Sequence, residues 1–260
     1  MKHLFPLLLA ASLSSLAGSA FAGLLGIDDN CILRDINPAN AVTSNPRVVG
    51  NKIYMIACAP NGTLYGVSQG FPTDVPPGGM LYKINVTTGV PTYVATLDTY
   101  VIVEGDIAFD PTSGTLYAID SQGQLFTINT TTGAGTVIGT LPGNIDLSAM
   151  TFDAAGNLYM VESFGQNLLK VNKTNATVVA TLPMGNVGQQ VGGLAFVPGN
   201  GTLYYAGDIP GKFYSVNTTT GLGTLINPIS PAVGIWALAY IPDPTPVRNS
   251  TWGRIKALYR

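Results

Sequence analysis

The chain has 260 residues, 46% hydrophobic and only 10% charged, with 31 Gly, 18 Pro and a formal net charge of −2. Five of its cations, Lys2, Arg248, Arg254, Lys256 and Arg260, lie at the two ends, so the body between them is acidic. No basic stripe exists there, which excludes a nucleic-acid partner. The single histidine is His3 and the only cysteines are Cys31 and Cys58, so the rest of the chain has neither a Ser-His-Asp triad nor a His- or Cys-built metal centre.

Residues 1–22 start with Lys2, run apolar from Leu4 to Leu16 and end on Ala20-Phe21-Ala22. That pattern predicts a secretory signal peptide cleaved before Gly23, and hence a secreted, periplasmic or cell-surface protein. No transmembrane helix is expected, because no segment stays apolar for long enough. Residues 23–241 then form one all-β domain organised by repetition. A Gly-x-Leu-Tyr step recurs at Gly62–Tyr65, Gly114–Tyr117, Gly156–Tyr159 and Gly201–Tyr204, with leucines 52, 42 and 45 residues apart. This matches the roughly 40 to 50 residues that a four-stranded propeller blade consumes.

Each repeat reads as four short strands. The first is an uninterrupted apolar run such as Ile107-Ala108-Phe109 or Leu194-Ala195-Phe196, as expected of a strand buried on both faces. The second carries Gly-x-Leu-Tyr, with Leu and Tyr pointing to opposite faces. The third alternates, as in Leu125-Phe126-Thr127-Ile128, and leads into a turn written Asn129-Thr130-Thr131-Thr132-Gly133. Asn and Gly favour such a turn, one by bonding locally to the backbone and the other by taking positive φ. The fourth strand is Thr-rich and β-branched.

The two ends supply halves of one more repeat. Leu24–Asp28 matches a second strand and Leu33–Asn37 a third, while Trp236–Pro242 matches a first strand with no second strand after it. Their pairing makes five blades and leaves no unpaired edge inside the ring. An open solenoid is the alternative, but it requires capping repeats, and none is visible.

The pattern Phe-Asp-Pro…Gly-x-Leu-Tyr-x-Ile-Asp…Leu-Phe-x-Ile-Asn-x-x-Thr-Gly, clearest from Phe109 to Gly133, resembles the repeats of secreted bacterial β-propellers of the lactonase-like and quinoprotein-like superfamily. The resemblance implies a β-propeller, in which the repeats and the two chain ends themselves count five blades closed by the terminal strands. It also implies a choice between binding, scaffolding and enzymatic roles. Lactonase-like enzymes hold Ca²⁺ in the channel with Glu, Asn and Asp, and some add histidines. Here the acids are present and the histidines are not.

Acids recur at one end of the blades. Asp28, Asp120, Glu162 and Asp208 close second strands, and Glu104, Asp106 and Asp146 precede or open first strands. Glu104, Asp106, Asp120, Asp146, Glu162 and Asp208 form the candidate metal set, suited to Ca²⁺ with its oxygen ligands or to a cationic ligand. Turn chemistry alone accounts for the same enrichment, and then no cofactor is needed. The one large insertion, between Ser68 and Met80, projects from the same face. Its Phe71 and Asp74, with Tyr100, Gln189, Gln190 and Trp236, are the candidate ligand-binding residues for a sugar, peptide or other small molecule.

Three other features need a reading. An oxidising compartment favours a Cys31–Cys58 disulfide, whereas Cys58 aligns with the core positions Phe109, Phe152, Phe196 and Tyr240 and so stands apart from Cys31. Asn-x-Ser/Thr sequons at Asn61, Asn85, Asn129, Asn172, Asn200 and Asn217 fall at recurring turns, where Asn and Thr are favoured for turn chemistry. Residues 242–260 are a Pro-rich spacer and a basic aromatic tail, with Trp252, Ile255, Leu258 and Tyr259 at helical spacing. That composition is read as a sorting or surface-attachment segment. The expected function is therefore a secreted, non-catalytic module that binds a ligand, glycan or protein. A Ca²⁺-dependent lactonase-like hydrolase and a structural envelope protein are the alternatives.

Overall fold

The computed structural model describes residues 23–68, 79–97, 105–120, 122–143, 147–162, 166–185, 187, 192–207 and 211–242. The chain starts with β1 (Gly23–Asp28), β2 (Ile32–Ile36) and β3 (Thr43–Val48). The first full blade is β4 (Ile53–Cys58), β5 (Leu64–Ser68), β6 (Met80–Ile84) and β7 (Pro91–Thr96). The second is β8 (Asp106–Phe109), β9 (Leu116–Ile119), β10 (Gln124–Ile128) and β11 (Gly135–Thr140). The third is β12 (Leu147–Phe152), β13 (Leu158–Glu162), β14 (Asn167–Asn172) and β15 (Thr177–Pro183). The fourth is β16 (Gly193–Val197), β17 (Thr202–Gly207), β18 (Lys212–Val216) and β19 (Gly223–Pro228), after which β20 (Ile235–Ile241) ends the described chain.

These strands make five antiparallel four-stranded sheets, and the remaining one has the order β20-β1-β2-β3. The protein is thus a five-bladed β-propeller closed by pairing its terminal strands, with Gly23 opposite Ile241 and Leu25 opposite Ala239. We call the face where first strands begin the upper face, and the face where they end the lower face.

The core is not central but divided among the five interfaces between neighbouring blades. Successive residues of a strand point to opposite faces of its sheet, so each inner strand feeds two interfaces. Ile107 packs toward the first blade and Ala108 toward the third. The Gly-x-Leu-Tyr step works in the same way. Leu158 joins the interface with the second blade, and Tyr159 the interface with the fourth. This is why the inner strands are apolar at consecutive positions rather than at alternate ones.

The turn between third and fourth strands is the same in every blade. Asn37, Asn85, Asn129, Asn172 and Asn217 each accept, through the side-chain oxygen, the backbone N–H two residues on. Their carbonyls accept from Ala41, Gly89, Gly133, Ala176 and Gly221 four residues on. The Asn and Thr of most sequons therefore have a local structural task. All five closing residues take positive φ, from 57° at Ala176 to 82° at Gly221.

Two of those positions show how neighbouring blades are matched. A methyl group on Gly133 would sit 2.3 Å from the Thr96 carbonyl and 3.0 Å from the Ala95 Cβ of the preceding blade. The third blade has Ala176 instead, and there the preceding blade presents Gly139, which leaves the space.

Each fourth strand also leaves the ladder at one point. A register shift interrupts its pairing with the third strand in all five blades. In the first, second and fourth blades the extra residue is Val94, Ile138 or Ile226, and it turns back onto the core. Such bulges bend an edge strand and increase its twist.

Gly133→Ala forces both a crowded Cβ and a positive φ on an L side chain, and should lower stability by about 1–3 kcal/mol. Ala176→Gly should cost less than 1 kcal/mol, because it relieves the backbone while losing one methyl. Urea unfolding of the two variants measures the contrast.

Candidate functional site

At the upper face, the hairpin acids are held by the turns that they close. Asp120 Oδ1 accepts the N–H groups of Gln122 at 2.9 Å and Gln124 at 2.8 Å. Asp28 does the same for Asn30 and Ile32 while its other oxygen takes the Arg34 guanidinium at 2.7 Å. Glu162 Oε2 accepts from the Asn167 amide at 2.7 Å. A carboxylate two or four residues before an N–H is the usual side-chain support of a tight turn.

Asp106 is placed differently. It opens β8, is 2% exposed, and bonds the Ile107 N–H through one oxygen and the Met150 N–H of the neighbouring blade, at 2.8 Å, through the other. It is a tie between two inner strands. Burial raises its pKa well above the usual carboxylate value against the opposing pull of those two N–H groups.

Among the described residues, no three His, Cys, Asp or Glu side chains come together to hold a metal ion. Asp106, Asp120 and Glu162 are described, while Glu104, Asp146 and Asp208 lie outside the described residues. Of the ligand-binding candidates, only Trp236 is described; Phe71, Asp74, Tyr100, Gln189 and Gln190 lie outside. Trp236 is half-buried near the start of β20, its ring centroid 5.1 Å from that of Tyr54 on the adjacent inner strand. Tyr54 in turn lies beside Cys31.

That contact places Cys31 at the upper face. Cys58 is the last residue of β4, at the lower face, with roughly 13 Å of strand between it and Tyr54. Both cysteines are free, so the disulfide is not formed and the register reading is the correct one. Burial pushes the Cys58 thiol up to about 12, leaving it protonated.

The position shared by Cys58, Phe109, Phe152, Phe196 and Tyr240 is more than a core position. It forms a ring at the lower mouth of the channel, rimmed by Pro60, Pro111, Ala154, Pro198 and Pro242. The sequence signal was an aromatic at the end of the first strand in four of the five repeats, with proline two residues on in three of those four. Two tyrosines of the Gly-x-Leu-Tyr step hold this ring in place: Tyr65 packs on Phe109 at 5.4 Å and Tyr117 on Phe152 at 5.1 Å. Beside it, Asp110 receives Lys173 Nζ at 2.6 Å from the next blade, together with the Thr112 and Ser113 hydroxyls. Burial alone would raise the Asp110 pKa, but these donors hold it down to about 2.

Comparison with known proteins bears on the fold alone. No protein family matches the sequence, and no curated protein does. Among solved structures, a protein of unknown function from Bacteroides thetaiotaomicron superposes with a TM-score of 0.59 at 14% identity, covering 85% of this chain and 64% of that one. The chain thus spans a little under two thirds of that protein's length. A chain of a nidogen/laminin complex gives 0.54 at 13% identity, covering 86% of this chain and 99% of its own. A protein of unknown function from Bacteroides caccae gives 0.53 at 11% identity, covering 84% and 98%.

The two inter-blade carboxylates should titrate with opposite signs. Asp110, depressed when folded, stabilises fully above its usual value of 3.8, and this contribution is lost as pH falls through about 2. Asp106, raised when folded, contributes most below 3.8 and progressively less as pH rises toward its folded value. Lys173→Met should therefore shift acid unfolding to higher pH. Asp106→Ala should destabilise by about 1–3 kcal/mol through the two abandoned N–H groups, with a deficit larger at pH 4 than at pH 7. Denaturation curves at the two pH values check both.

Proposed function

We propose that this protein is a secreted, non-catalytic binding module whose ligand-facing surface is the upper face. The observation that carries this reading is where the connections vary in length. On the lower face, the connections 37–42, 59–63, 85–90, 110–115, 129–134, 153–157, 173–176, 198–201 and 217–222 are all four to six residues long. The connections that leave from and return to the upper face range from three residues, at 29–31, to nine at 97–105 and 184–192 and eleven at 69–79. Loops that diverge on a rigid, repeated scaffold are where binding surfaces are built.

Non-catalytic action is supported by the use made of the acids. Asp28, Asp29, Asp35, Asp106, Asp110, Asp120, Asp153 and Glu162, the carboxylates among the described residues, each accept a hydrogen bond from a backbone or side-chain donor of the fold. With His3 the sole histidine, none of these acids has an imidazole beside it to share acid–base work. Trp236, braced by Tyr54, supplies an aromatic surface of the kind that anchors sugars and peptides. The connections that contain Phe71, Asp74, Tyr100, Gln189 and Gln190 run between strand ends at that face.

Glycan and peptide arrays probed with the purified chain test this reading. Binding is expected, and it should weaken at least 10-fold in Trp236→Ala or when residues 70–78 are replaced by a short Gly-Ser linker. Binding that both changes leave intact would move the site elsewhere. Ca²⁺-dependent turnover of a lactone panel would overturn the non-catalytic assignment.

A further inference from the structure

At the lower end of the channel, the ends of the five inner strands enclose an open-mouthed cavity of about 260 Å³. Its wall is mostly carbon. The aromatic ring lies nearest the mouth, and Ile56, Ile107, Met150, Leu194 and Leu238 form the layer above it. No Lys or Arg lines the cavity, and its one carboxylate, Asp153, is already bonded to the N–H groups of Ala155 and Asn157 and to the Asn157 amide. The remaining polar atoms are neutral: the Thr151 and Tyr240 hydroxyls, the Cys58 thiol and strand backbone. A charged guest would therefore lose its hydration with nothing to replace it.

The wall is also formed in advance. Phe109 and Phe152 are 8% and 5% exposed and are fixed by Tyr65 and Tyr117 of the preceding blades. Little side-chain ordering is left for a guest to impose. Most of the aromatic ring is complete, but the first blade has Cys58 in place of an aromatic residue, so one sector stays open. We propose that this lower mouth is a binding site for a small uncharged aromatic or aliphatic molecule, separate from the upper face. Size follows from volume: an apolar cavity of about 150 Å³ accommodates benzene, so this one takes a two-ring molecule.

Titration of the full chain with the neutral fluorophore N-phenyl-1-naphthylamine tests the site. A saturable one-to-one rise in fluorescence is expected, and Trp236→Ala should leave it unchanged. Cys58→Phe fills the open sector, and Ala154→Trp blocks the rim; each should weaken binding at least 10-fold with the melting temperature retained. Should Cys58→Phe fail to fold, Ala154→Trp decides, since Ala154 is exposed in a turn. The proposal is overturned if the wild-type chain does not bind the probe, or if the folded blocking variants bind it as before. Equal affinity for the anionic analogue 1-anilinonaphthalene-8-sulfonate would overturn the assignment to uncharged ligands.

Discussion

The structure depends on one constraint: no blade can bury its own side chains. A single four-stranded sheet offers two apolar faces, and in this protein both are covered only by neighbours, since every core cluster combines residues from adjacent blades. At about 25 cal/mol per Å² of buried apolar surface, an uncovered face would forfeit several large side chains at once. A row of such sheets would always leave two faces bare, whereas a ring leaves none. The pairing of β1 with β20 closes it by making one sheet from both ends of the chain.

The same arrangement leaves five outer strands facing solvent. Four of them, β7, β11, β15 and β19, contain no charged residue and expose Tyr93, Val137, Val179 and Leu225. Natural edge strands commonly carry charge to prevent pairing with other chains. Here the bulge that recurs in every blade takes that part, because a kinked and over-twisted strand offers no straight run of free N–H and C=O groups to a partner. In three blades it also lets a β-branched residue fold back onto the core, so the departure from regular pairing adds burial.

Much of this was legible in the residues because it is local. Gly-x-Leu-Tyr, the Asn-x-x-Thr-Gly turn and the apolar first strand each state a conformation within a few positions, and repetition confirms the reading. The closing blade was legible too, since the halves at Leu24 and Trp236 are complementary. What the sequence could not separate was direction. An apolar residue at the end of a first strand packs against a neighbour or faces the channel with the same period, so Phe109 and Cys58 read as plain core. Acids were ambiguous in the same way. Asp106 opens a first strand and Asp120 follows a second strand at the same end of one blade, yet Asp120 supports its own hairpin and Asp106 reaches Met150 across an interface.

The antiparallel pairing of β1 with β20 has a consequence for orientation. Gly23 and Ile241 are register partners, and both lie at the lower face. A tether joined at either end would therefore hold the disc by its underside, with the variable connections turned outward into the medium. Which strands close the circle thus fixes the face from which both ends of the described propeller leave.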